Sequence, residues 1–131
     1  MIDHLSTYAT DFVATCRFYD AALAPLGFGK NVEMVATWNA EWPTQRFAAY
    51  GPGGRPILWV IEVREPASPR HVAFVAKDRA AVDAFYAAAR AAGAPDNGPP
   101  GPRAIYHPDY YGAFVLDPDG NNVEAVCHVP A

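Results

Sequence analysis

The chain is poor in several things that would direct it elsewhere. It holds two cysteines in 131 residues, Cys16 and Cys127, with neither CxxC spacing nor a secretory context. They read as buried thiols rather than a disulfide or a zinc knuckle. Positive charge is scarce: 10 Lys+Arg, scattered singly, stand against 14 Asp+Glu for a net −4. No electrostatic footprint for a phosphate backbone results, which excludes nucleic acid as an expected partner. Long apolar runs are absent as well, each being interrupted by a charge within about ten residues, well below the ~20 that span a bilayer. The opening Met1-Ile2-Asp3-His4 has no basic segment leading into an apolar one, so the expected location is the cytoplasm, with no membrane partner.

What is present suffices for a folded domain. Apolar residues make up 51% of the chain, and 10 Gly with 13 Pro fall short of a low-complexity composition. At this length roughly two thirds of the unfolded surface can be buried, so a single domain over 1–131 is expected, with no structural metal needed to hold it.

The chain also repeats. A shift of 67 positions lays His4 on His71, Asp11 on Asp78, Phe18 on Phe85, Tyr19 on Tyr86 and Ala22 on Ala89; one deletion later Gly27 meets Gly93. Two copies of one unit follow, about 1–64 and 71–131, joined by a linker at about 65–70 that holds Pro66 and Pro69.

Each unit reads the same way. Strand character over 2–9 and 71–76 leads to an aspartate, Asp11 or Asp78, placed to accept from the free N–H groups of a helix start. Phe12, Cys16, Tyr19, Leu23 and Leu26 recur at helical spacing in the first unit, and Val82, Phe85 and Ala89 in the second. Strands are expected at 30–38, 45–50 and 57–63, then at 104–107, 111–116 and 122–128, with 96–102 as a Pro/Gly loop. The fold class is α+β: two βαβββ units forming a curled mixed sheet around a concave site, with the helices on the outer face.

Strand alternation places the chemistry. Leu5, Ala9, Val72 and Phe74 suit the helix-packed face, so His4 and His71 point the other way. In the last strand Val123, Ala125 and Cys127 form the apolar set, which turns Glu124 and His128 toward the concavity. Two histidines and a carboxylate are the ligand set of open, mononuclear metal sites.

The paired units, a histidine opening each, the FY pair in each helix and the closing DPDGNNVE resemble the vicinal oxygen chelate superfamily. That superfamily includes glyoxalase I, extradiol dioxygenases, fosfomycin-resistance thiol transferases and the bleomycin-binding resistance proteins. The resemblance spans nearly the whole chain and implies His4, His71 and Glu124 as ligands of a divalent metal, Fe(II) or Mn(II) first, Zn(II) or Ni(II) next. It implies a small-molecule substrate and, by analogy, a homodimer. It does not carry over at the fourth ligand place, where the strand Ile57–Glu62 offers Trp59, or Leu58 after a one-residue slip. A glyoxalase I reaction, which uses carboxylates on both sides of the metal, is not expected.

Around this set, His107, Tyr110 and Tyr111 precede or open a strand and are candidates to move protons. Trp38, Phe47 and Trp59 can line a pocket for a flat or apolar ligand, Arg103 can meet an anionic group, and His128 can support the site. Two functions follow: a metal-dependent lyase, isomerase, dioxygenase or thiol transferase acting on an oxygen-chelating substrate, or a metal-free binding or resistance protein that sequesters a small molecule.

Overall fold

The computed structural model describes residues 2–67 and 69–131. The first unit runs β1 (Leu5–Ala9), α1 (Phe12–Leu23), β2 (Gly29–Val35), β3 (Arg46–Gly51) and β4 (Leu58–Glu62). The second runs β5 (His71–Val75), α2 (Arg79–Ala91), β6 (Asp96–Pro102), β7 (Tyr111–Leu116) and β8 (Asn122–Cys127). Each unit builds its own four-stranded mixed sheet, ordered β1-β4-β3-β2 and β5-β8-β7-β6, with the first and last strands of each unit parallel.

The repeat is visible atom by atom at the helix starts. Asp11 accepts from Ala14 N at 3.0 Å and Asp78 from Ala81 N at 2.8 Å, each satisfying an N–H that the first turn leaves free. After each helix the chain leaves through a glycine with positive φ, Gly27 at 80° and Gly93 at 95°.

Both helices cover one face of the sheets. Ala9, Val60, Leu58 and Tyr50 from the first unit, and Val72, Phe74, Val123 and Ala125 from the second, are buried beneath Tyr19, Leu23, Val82 and Phe85. The two units are joined across this core. Tyr19 donates to buried Asp117 at 2.9 Å, Asn121 Nδ2 donates to Asp117 at 2.7 Å and to Thr7 at 3.3 Å, and Thr10 donates to Asp119 at 2.7 Å. The turn before β8 is thus fastened to β1, 114 residues away for the Thr7–Asn121 bond.

One strand lies elsewhere than the sequence suggests. Asp96–Pro102 is β6, whereas 104–106 form a turn in which Tyr106 N donates to Arg103 O at 2.9 Å. β6 carries three prolines and survives because it is an edge: it pairs only with β7, with register shifts that spare the prolines from donating.

Candidate functional site

With α1 and α2 on one face, the opposite face of each sheet is free to form a site. On the first sheet the ladder sets Ser6 beside Trp59 and Phe47 beside Ile61, while Met34 opposes Phe47. These side chains, with His4 at the end of β1 and Trp38 beyond β2, line a hollow of about 340 Å³. Trp38 and Phe47 stack at 6.0 Å with their planes 23° apart. Such a volume with mostly apolar walls and few polar groups suits a small organic molecule. Leu58 is fully buried in the core, so of the two residues considered at the fourth ligand place it is Trp59 that faces the hollow. Glu62 does not: it binds Arg46 through Oε2···Nη2 at 2.6 Å and Oε1···Nε at 3.1 Å. That arginine lies over the ring of Phe12 on α1, and its hydrogen bonds hold the Glu62 carboxyl below its ordinary range.

His4 stands at the rim. Its Nδ1 meets Asp3 Oδ1 at 2.7 Å, and this bond holds the Asp3 carboxyl below the usual carboxylate range. His4 also lines a second hollow of about 320 Å³, which Arg55, Ile57 and Ala73 share. Ala73 is the ladder partner of Glu124, so this hollow reaches from β1 toward the second sheet.

The second sheet carries the polar group. Glu124 is 2% exposed although it sits on the face away from the helices. Tyr110 donates its hydroxyl to Oε1, and His71 Nε2 stands 3.1 Å from Oε2. Burial first, and then the bond to Glu124, push the Tyr110 hydroxyl well above its ordinary value, so it remains a donor. Gly112 makes this packing possible: a Cβ there would stand 3.1 Å from Glu124 Oε1 and 3.2 Å from Tyr110 Cε1. No pattern in the sequence marks Gly112 for that role.

His71 Nδ1 lies 3.0 Å from the carbonyl oxygen of Asn122. A carbonyl only accepts, so the ring proton is on Nδ1, and Nε2 then opposes a carboxyl oxygen. Two acceptors at that separation need a shared proton or a cation between them. Two donors bound at about 2.1 Å and at right angles to one metal stand about 3.0 Å apart, so the pair also fits as two neighbouring ligands. The donor set is incomplete, however. Among the described residues no group of three or more His, Cys, Asp and Glu side chains converges as a metal centre, and His4 is turned onto Asp3 instead of joining His71 and Glu124.

The remaining candidates divide. His107 Nδ1 accepts from Asp109 N at 3.1 Å, which leaves its proton on Nε2 to be donated to His128 Nδ1 at 2.8 Å. Both rings make T-shaped contacts with the Tyr110 ring at 5.4 Å, so they buttress the donor to Glu124. Tyr111 is one residue further and therefore on the other side: it pairs with Cys127 and donates to Asp83 on α2 at 2.7 Å. Arg103 is spent on the edge strand β6 beside it, donating to Pro99 O at 2.7 Å and Gly101 O at 2.9 Å.

Comparison with known proteins agrees with this fold. The Glyoxalase/Bleomycin resistance protein/Dioxygenase superfamily model matches residues 1–125. A glyoxalase/bleomycin resistance protein from Albidiferax ferrireducens T118 is 27% identical, with a TM-score of 0.78 over 95% of this chain and 97% of that one. The lactoylglutathione lyase of Agrobacterium tumefaciens, at 21% identity and a TM-score of 0.67, covers 97% of this chain and 92% of its own. A glyoxylase/bleomycin resistance protein/dioxygenase domain from Frankia sp. EAN1pec, at 18% and 0.71, covers 97% and 96%. The last two likenesses, below a quarter identical, concern the fold. No curated protein matches the chain. The matched model takes in nearly all of both βαβββ units, and the chain belongs to the Glyoxalase/Bleomycin resistance protein/Dioxygenase superfamily.

Proposed function

We propose that this protein binds a small, flat, largely apolar molecule in the hollow over its first sheet. One observation supports the reading above others: Trp38, Phe47, Trp59, Met34 and Ile61 surround about 340 Å³ on the open face of a sheet, with only His4 and Ser6 to supply polarity. Aromatic walls of this kind contribute area and ring contacts with little side-chain entropy to lose. The direct test is tryptophan fluorescence during titration with bicyclic aromatic probes such as 1-naphthol, repeated in Trp59→Ala. Saturable quenching that weakens at least tenfold in Trp59→Ala is expected; no saturable binding, or equal binding in the variant, overturns the reading.

A second reading has its own support. His71 Nε2 and Glu124 Oε2 oppose each other at 3.1 Å with the imidazole proton committed to Asn122. A divalent metal, with Fe(II) or Mn(II) ahead of Zn(II) or Ni(II), would take those two donors. His4 would be the third, turning from Asp3 across the hollow that it shares with Ala73. When bound, such an ion would act as a Lewis acid toward an oxygen-bearing substrate. The chain's part is then to orient Glu124 through Tyr110 and to fix the His71 ring through Asn122. Elemental mass spectrometry on protein purified without chelator decides it: near-stoichiometric metal that falls in His4→Ala, His71→Ala and Glu124→Ala supports an enzyme. Protein that takes up none of the four ions is a binder only. The homodimer belongs to the same proposal, and light scattering after size exclusion tests it.

A further inference from the structure

Residues 36–45 join β2 to β3 without helix or strand, and they carry one wall of the hollow, Trp38. That side chain is 65% exposed, although its ring stacks on Phe47. A large ring on a loop, with so much surface in water, is held only as well as the backbone beneath it. Here the backbone is fastened on both sides of Trp38. Ala36 N donates to Gln45 O at 2.8 Å, which closes the ends of the loop, and Asn39 N donates to Ala36 O at 2.9 Å, which makes Trp38 the third residue of a tight turn. Asn39 Oδ1 then accepts from Glu41 N at 3.1 Å and Trp42 N at 3.2 Å, fixing the chain that leaves the turn.

One side chain ties this turn to the sheet. Gln45 Oε1 accepts from Asn39 Nδ2 at 3.0 Å, while Gln45 Nε2 donates at 2.8 Å to the carbonyl oxygen of Glu62, the last residue of β4. Both ends of the amide are used, and β4 is the strand that supplies Trp59 and Ile61 to the same hollow. Just past β4, the Arg64 guanidinium lies 4.1 Å from the centre of the Trp42 ring, a second tie between the two segments.

We infer that Gln45 is a positioning residue that holds Trp38 over the hollow before any ligand arrives, so that a flat molecule binds to a finished wall. This rests on the reading of the hollow as the ligand site and adds how its affinity is set. Gln45 stands outside the hollow and acts through Asn39. A wall ordered in advance removes an ordering cost from the binding step and so tightens binding without adding a contact.

Gln45→Met keeps the length of the side chain and removes both hydrogen bonds. With 1-naphthol as the probe and calorimetry as the readout, it is expected to bind about five- to tenfold more weakly than the native chain, the scale of ordering a side chain and its turn on binding. In a Trp38→Ala background, which has no ring to place, the same substitution should change the affinity by no more than about twofold. A spectroscopic signature separates positioning from a general loosening of the fold. With 5-fluorotryptophan incorporated, the ligand-free native chain should give one sharp Trp38 fluorine signal, assigned by its loss in Trp38→Phe. Gln45→Met should broaden or shift that signal and leave the Trp59 signal in place. Equal affinity of the native chain and Gln45→Met, an equal loss in the Trp38→Ala background, or a Trp38 signal that is unchanged or moves only together with that of Trp59, overturns the inference while leaving the hollow as a binding site. If the native chain does not bind 1-naphthol, the reading of the hollow falls and the inference falls with it.

Discussion

Replacing Tyr110 by Phe removes one oxygen and changes little else, which makes it the sharpest probe of the second sheet's polar group. Glu124 is 2% exposed and has two side-chain partners, Tyr110 on Oε1 and His71 on Oε2. A hydrogen bond to a charged acceptor contributes about 1.5–3 kcal/mol, and its loss leaves Oε1 in a space that Gly112 and the Tyr110 ring otherwise fill. Tyr110 is only part-buried, so a water can enter where the hydroxyl was, which favours the lower half of that range. The expected loss is about 1.5–2 kcal/mol, a sizeable part of the 5–15 kcal/mol typical of a domain. Urea unfolding followed by tryptophan fluorescence measures it. Tyr86→Phe, which removes an exposed hydroxyl bonded to Asp96 at 2.9 Å, is the control and should cost clearly less. In a Glu124→Leu background Tyr110→Phe should cost almost nothing, because the partner is gone. A Tyr110→Phe loss equal to the Tyr86→Phe loss, or one that persists in Glu124→Leu, would refute the pairing.

Three further outcomes follow from the same contacts. Gly112→Ala puts a methyl group 3.1 Å from Glu124 Oε1, so it should destabilise by about 1–2 kcal/mol, and much less in a Tyr110→Ala background where the ring can no longer be crowded; urea midpoints check both. The Glu62 carboxyl is held low by Arg46, so its contribution is complete above the unfolded value of 4.5 and is lost as pH falls through the lower folded value; Arg46→Met should flatten the acid side of the stability curve by about 1 kcal/mol, the pair being partly exposed. Tyr19 and Tyr50 are raised above 10 chiefly by burial, so their contribution is whole below pH 10 and declines once the unfolded chain can ionise them; chemical denaturation at pH 10.5–11 should show Tyr50→Phe losing less stability with pH than the native chain.

How much of this the sequence disclosed depends on whether a local pattern or a distant partner set the outcome. The helix starts were legible because Asp11 and Asp78 cap within three residues of themselves, and the 67-residue shift doubled the signal. Alternation also placed Glu124 and His71 on the face away from the helices, because period two needs no knowledge of the partner strand. β6 was illegible for the opposite reason. Pro99, Pro100 and Pro102 deny it donors, and only pairing with β7 along one edge makes it a strand. The run at 104–107 has strand-like residues but no neighbour, and Ile105 is 86% exposed. Tyr110 and Tyr111 were equal candidates until register separated them, one onto Glu124 and the other onto Asp83. Asp3 was visible beside His4 yet carried no pattern, since a contact between neighbours in sequence has no period.

The repeat also explains why the two sheets do different work. His4 and His71 are equivalent under the 67-residue shift, and so are Ser6 and Ala73. Ser6 pairs in register with Trp59, and Ala73 with Glu124, so Trp59 and Glu124 occupy the same place in the two units. One copy of the repeated unit therefore presents an indole where the other presents a carboxyl. A second carboxyl at Trp59 would lie among Met34, Phe47 and Ile61, where its charge would be costly without a partner. An indole at Glu124 would find Gly112, Tyr110 and His71 already filling the space around that position. Each surrounding is matched to the residue it holds, so the divergence is a built difference between two faces: an apolar wall over the first sheet, and a hydrogen-bonded acid over the second. The histidines, retained in both, follow that split, His4 beside the rings and His71 against the acid.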